Sequence, residues 1–155
     1  MKNKPAAEGQ NETIDFEQST TEMDPVARAA VEATLNEYLG QWQRLISTTN
    51  WDKGRIICQW RDALIQSGAS PAVYSDQAWA DLVGNVTPQH VGRLRRVFQL
   101  FGETHESYEG LYWSHFQASL DWDDADEWLD QACTFGWSVS RMRQQRWEAN
   151  GAPEA

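Results

Sequence analysis

The sequence has few of the features that announce a chemistry. Cysteine occurs twice, at Cys58 and Cys133, with no CxxC pair and no histidine at ligand spacing, which argues against a zinc site or a disulfide framework. Both thiols are expected as reduced core residues, because free cysteine is among the most buried side chains. Apolar runs are only a few residues long, so none reads as a bilayer span, and the polar N-terminus lacks the basic-then-apolar order of a secretory signal. A soluble, cytoplasmic protein with no membrane partner is the expectation. No segment alternates convincingly at period two, which argues against sheet, and no repeat of fixed period stands out. There is no nucleophile elbow, phosphate loop or pair of carboxylates at a working spacing, and His90, His105 and His115 sit in different contexts. Ser114, beside His115, faces another side of its helix. No enzyme activity, catalytic residue, cofactor or metal is therefore expected.

Basic charge is also scarce. Thirteen Lys and Arg stand against 23 Asp and Glu, for a net charge of −10. That sum argues against a generic nucleic-acid binder, since duplex affinity comes largely from cations neutralising phosphates. The distribution is more permissive. Residues 1–24 hold two Lys and six acids, residues 121–130 hold six acids and no base, and the rest balances at eleven of each. Acidity is thus confined to two segments, and a local basic surface remains available.

What is present is helical patterning in a chain of one-domain length. Residues 1–23 are polar, with hardly any large apolar side chain, and are expected to be a disordered tail. A single all-α domain is expected over 24–150. Asp24 followed by Pro25 starts a helix to about Ser47, with Val26, Leu35, Tyr38, Leu39, Trp42, Leu45 and Ile46 giving one broad apolar face that needs a partner. Asn50 is placed as the cap of a second helix, Trp51 to Gln66, with Ile57, Trp60, Leu64 and Ile65 inward and Gly68 as the stop. Residues 67–73 read as a loop. Ser75 or Asp76 caps a helix to Val83, Gly84 and Asn85 turn the chain, and Thr87 with Pro88 starts a helix to Phe101. After a polar stretch at 102–110, three helices are expected at about 112–120, 123–135 and 138–148, with Gly136 and Ser138 between the last two. The nine tryptophans all fall in or beside helices, where core filling is favoured over stacking on bases.

Residues 76–101 match helix–turn–helix grammar. A small residue, Ala80, is followed four positions later by Gly84, then by Val86, a capping Thr87 and Val91, with Asn85 as one extra turn residue. At 100° per residue, Val91, Leu94, Val97, Phe98 and Phe101 share one side of the second helix. Gln89, Gly92, Arg93, Arg96 and Gln99 fall opposite, with Arg95 at the flank. Arg can bond guanine edges or phosphates, Gln can bond adenine, and Gly permits close approach, so this is the composition of a recognition helix. An ordinary helix pair with a solvated Arg/Gln face is the competing reading. Arg141, Arg143 and Arg146 on the last helix either extend a phosphate footprint or complement that helix's C-terminus and pair with the acidic helix before it. The second account is slightly favoured. The acidic stretch from Asp121 to Asp130 fails the spacing of an EF-hand, because Asp126 and Ala132 stand where Gly and Glu are required. It is read as carboxylates at a helix N-terminus, turned away from any DNA.

From Lys53 onward the chain resembles the helical N-terminal domain that precedes a PD-(D/E)xK-type nuclease in a group of uncharacterised bacterial proteins. Lys53, Gly54 and Arg55 carry the resemblance, with Leu94, Arg95, Arg96, Phe98 and Phe101, then Trp113, Ser114 and His115, then Gly136 to Val139, Met142 and Arg143. The order LYWSHF then GWSVSRMR is similar to the helical DNA-binding region of ParB-type partition proteins. The resemblance implies a DNA-binding helical domain. No nuclease carboxylates follow it within the 155 residues, so any cleavage would come from a partner. The expected function is a DNA-binding accessory or regulatory protein, in which Gln89, Gly92, Arg93, Arg95, Arg96, Gln99, Arg141 and Arg143 contact double-stranded DNA. The alternative is a protein-interaction module that docks a foreign partner or its own copy through the Trp-bearing N-terminal helix or the acidic helix.

Overall fold

The computed structural model describes residues 23–151, among which every regular element is helical and no strand occurs. The expected tail, Met23 apart, lies outside the described residues. Six α-helices follow one another: α1 (Pro25–Gln66), α2 (Asp76–Val83), α3 (Pro88–Phe101), α4 (Trp113–Ala118), α5 (Ala125–Phe135) and α6 (Val139–Ala149). Short 3-10 turns at Pro71–Tyr74 and His105–Ser107 break the two stretches read as loops. Two compact units share the chain, Met1–Trp42 and Gln43–Ala155.

In the first unit α1 starts where Asp24 and Pro25 predict, with Asp24 Oδ1 accepting the Val26 N–H at 3.4 Å. Contrary to expectation α1 does not end near Ser47; it is a single helix of 42 residues. No Gly or Pro stands between Ser47 and Trp51, and Ser, Thr and Asn in a helix interior cost at most ~0.7 kcal/mol each. Asn50 therefore caps no second helix and lies inside α1, and the neighbouring Ser47 hydroxyl accepts the Trp113 N–H at 2.8 Å. The helix ends at Gln66, where Gly68 turns left-handed at φ +82° and its N–H reaches the Ile65 carbonyl.

The second unit has its core on the inward sides of α1 and α3 to α6, with Ala80 contributed by α2. Val91, Leu94, Val97 and Phe101 of α3 are buried as their periodicity predicts, and they pack with Ile57, Trp113, Phe116, Leu129 and Met142. Complete burial of a side chain the size of Phe116, Leu129 or Met142 contributes about 1.5–3 kcal/mol. Gly54 is buried because α1 and α3 cross there so closely that a Cβ would stand 2.8 Å from the Leu94 carbonyl oxygen. Of the residues expected inward on this half of α1, Ile57 is buried, Trp60 and Leu64 are half-buried, and Ile65 is exposed.

Six of the nine tryptophans fill or border this core, and Trp60 is half-buried against Trp79; Trp51, for example, stacks on His105 at 3.7 Å and meets Trp113 edge-on at 4.5 Å. Trp42 and Trp147 depart from the expectation and are largely exposed. Cys58 is buried, and that burial, with the nearby Asp62, pushes its thiol pKa up. Cys133 is only half-buried. The buried histidine is His115, 3% exposed, whose Nδ1 accepts the Tyr112 N–H while Nε2 donates to the Trp137 carbonyl at 2.8 Å. This ties the start of α4 to the α5–α6 turn. Ser114 is exposed beside it, on a different side as expected. The turn itself is set locally, by Gly136 at φ +65° and by Ser138 Oγ accepting the Arg141 N–H.

Candidate nucleic-acid interface

Local chemistry builds the α2–α3 pair as the sequence indicates. Ser75 Oγ caps α2 by accepting the Ala78 N–H at 3.0 Å. Thr87 Oγ1 caps α3 by accepting the His90 N–H at 3.1 Å, ahead of Pro88 in the first turn. Between them the chain turns on Gly84 at φ +70° and Asn85 at φ +57°, the extra turn residue adopting a left-handed conformation that Asn tolerates better than most side chains. Ala80 is buried in α2, where a small side chain suits close packing.

A polar groove of about 650 Å³ runs along α3, with walls from the start of α2, from α4 and its exit, and from α6. Six of the eight residues named from sequence line it: Gln89, Gly92, Arg93, Arg95, Arg96 and Arg143. Gln99 and Arg141 do not. Gln99 is exposed on α3 and accepts from Arg95 Nη1 at 3.1 Å, and Arg141 is exposed on the first turn of α6. Four arginines against Asp76 and Asp121 leave the lining at net +2 within a chain of net −10. His90, in the first turn of α3, is held below the ordinary histidine range by partial desolvation and then by the charges of Arg93 and Lys53.

Three sequence expectations need correction. Gly92 borders the groove, but the space its missing side chain leaves is taken by Asp76 rather than open to a ligand. It is buried, and a Cβ there would stand 2.9 Å from Asp76 Oδ2, so the backbone of α3 approaches the carboxylate of α2. Arg95 is no flank phosphate contact in this state. Its Nε and Nη2 donate to Asp76 Oδ1 and Oδ2 at 2.8 and 2.9 Å, a two-pronged bond that clamps α2 on α3. The Arg95 hydrogen bond holds the Asp76 carboxyl below the usual range, and the same bond raises the Arg95 pKa. Third, the acidic stretch is not wholly turned away, because Asp121 lines the groove and bonds Arg96.

Arg146 resolves as the favoured account held, donating to Asp124 at 2.9 Å and lying over the Trp122 ring at 4.4 Å. Arg93, Arg141 and Arg143 have no ion-pair partner among the described residues. The sequence reading had missed Asp76 and Asp121 as groove residues. Asp76 carried only the signal of a helix start, and nothing in the sequence links it to a residue 19 positions later. Among the described residues no helix is long and apolar enough to cross a membrane, and no cluster of potential metal ligands forms. No family model, no curated protein and no solved structure matches the chain.

Proposed function

We propose that this chain is a DNA-binding accessory or regulatory protein without catalytic activity of its own, with α2 and α3 serving as a helix–turn–helix. The observation that carries the reading is the groove, where Gln89, Arg93 and Arg96 on the exposed side of α3 share one surface with Arg143 from α6. Recognition helices contact base edges through the residues of their N-terminal half, and Gln89 and Arg93 stand there, solvent-exposed. The family resemblance of the sequence points the same way. Arg95 now orients the helix pair, Arg93 and Arg143 offer charge directly, and Arg96 exchanges Asp121 for a phosphate on binding.

So small a set of cations predicts weak binding with a shallow salt dependence. Two to four neutralised phosphates give a slope of log K on log salt of roughly −2 to −4. Fluorescence anisotropy of a labelled duplex across salt tests this. Arg93→Ala with Arg96→Ala is expected to reduce affinity and to flatten the slope by about 2. Absence of binding at low salt, or equal binding by parent and variant, refutes the proposal.

A further inference from the structure

Between Leu35 and Ile46, α1 carries six large apolar side chains that no other described residue covers. Leu35, Tyr38, Leu39, Trp42, Leu45 and Ile46 are 42 to 65% exposed. Positions 35, 38, 42 and 45 repeat at steps of three, four and three, the spacing of a coiled-coil seam, with Leu39 and Ile46 flanking it. We infer that this stripe is a homodimer interface in which α1 of one chain pairs antiparallel with α1 of a second copy.

Area, charge and register each favour that occupant. At about 200 Å² for a large side chain, full occlusion of the six buries about 650 Å² per helix and about 1,300 Å² for the pair, within the ~1,200–2,000 Å² of stable interfaces. Residues 25–50 hold Arg28 and Arg44 against Glu32 and Glu37, so the segment is neutral and two copies meet there without the repulsion a chain of net −10 meets elsewhere. Residues 1–22 are poor candidates to cover the stripe themselves, since Met1, Ile14 and Phe16 are their only large apolar side chains. Antiparallel pairing sets Leu35 against Leu45 and Tyr38 against Trp42 of the other copy, each contact occurring twice. It also separates the two acidic segments 1–24, each of net −4, which parallel pairing would bring together. Neither the area nor the register depends on whether the protein binds DNA.

Sedimentation equilibrium of the full chain from about 1 μM to about 1 mM tests the inference, since that range spans weak to moderate dimer affinities. A dimer is expected. Leu39→Glu with Trp42→Glu, at exposed sites in a helix that tolerates Glu, is expected to weaken association at least ~100-fold while the cooperative unfolding transition is retained. Leu35→Lys and Leu45→Glu are each expected to weaken the dimer, and together to restore it, because antiparallel pairing sets Lys against Glu. A monomeric parent at all concentrations, or a dimer indifferent to the Glu pair, overturns the interface. Two weakened single variants whose combination is no better overturn the antiparallel register.

Discussion

The clamp between Arg95 and Asp76 allows a quantitative test of how the α2–α3 pair is held. Its two bonds, at 2.8 and 2.9 Å, join side chains only 17 and 27% exposed. Hydrogen bonds to charged groups contribute about 1.5–3 kcal/mol, and partial solvent access places the net coupling near the lower part of that range, about 2 kcal/mol. A double-mutant cycle of Asp76→Ala and Arg95→Ala, read from urea unfolding at pH 7, is expected to return that coupling. With a urea slope of about 1–1.5 kcal/mol per molar, each single variant shifts the midpoint downward by roughly 1.5 M. The pair Arg96–Asp121, 49 and 78% exposed, serves as the contrast and should couple by less than ~0.5 kcal/mol.

The sign with pH follows from the lowered Asp76 pKa. A carboxylate depressed in the folded state stabilises fully above its unfolded pKa of about 3.9, and that stabilisation is lost as pH falls through the folded value. Repeating the cycle near pH 3 should therefore give a smaller coupling. Gly92→Ala supplies an internal check. In the parent the new methyl displaces the Asp76 carboxylate and lowers stability, whereas with Asp76→Ala the obstruction is gone and the helix gains up to about 1 kcal/mol from the same change. A coupling below 0.5 kcal/mol at pH 7, or a Gly92→Ala effect of equal size in both backgrounds, refutes the clamp.

Two further outcomes follow from the core. Gly54→Ala forces α1 away from the Leu94 carbonyl and from Phe98, since backbone cannot yield as a side-chain tip can, and should cost about 1–3 kcal/mol in urea unfolding; a neutral or stabilising effect removes the close crossing. His115 is held below the ordinary histidine range by desolvation, against the bond it donates to the Trp137 carbonyl, so the unfolded chain takes up its proton first and stability declines as pH falls below about 6.5. The urea midpoint should drop between pH 7.5 and 5.5, and His115→Gln should lessen that dependence, His90 contributing the remainder with the same sign. A variant with the parent's full pH dependence contradicts the assignment.

Local chemistry made much of this molecule legible in sequence. Ser75, Thr87 with Pro88, Gly84 with Asn85, and Gly136 with Ser138 act within three or four residues, through hydroxyl caps and left-handed turns, and each stands where the pattern placed it. The buried face of α3 was equally readable, because a 3.6-residue period needs no knowledge of the partner. Continuity of α1 was not readable, since four polar residues look like punctuation until a distant group, the Trp113 N–H, is seen to occupy Ser47. The roles of the arginines lay further out of reach. A helical wheel gives the direction of a side chain but not what stands opposite it, and the helix crossings alone bring Asp76 to Arg95 across 19 residues and Asp121 to Arg96 across 25. Sequence thus determined the caps and turns of the helices after α1 and, Gly92 apart, the exposed set on α3, while tertiary packing decided which of those charges hold the fold and which, Arg93 and Arg143 among them, have no ion-pair partner among the described residues.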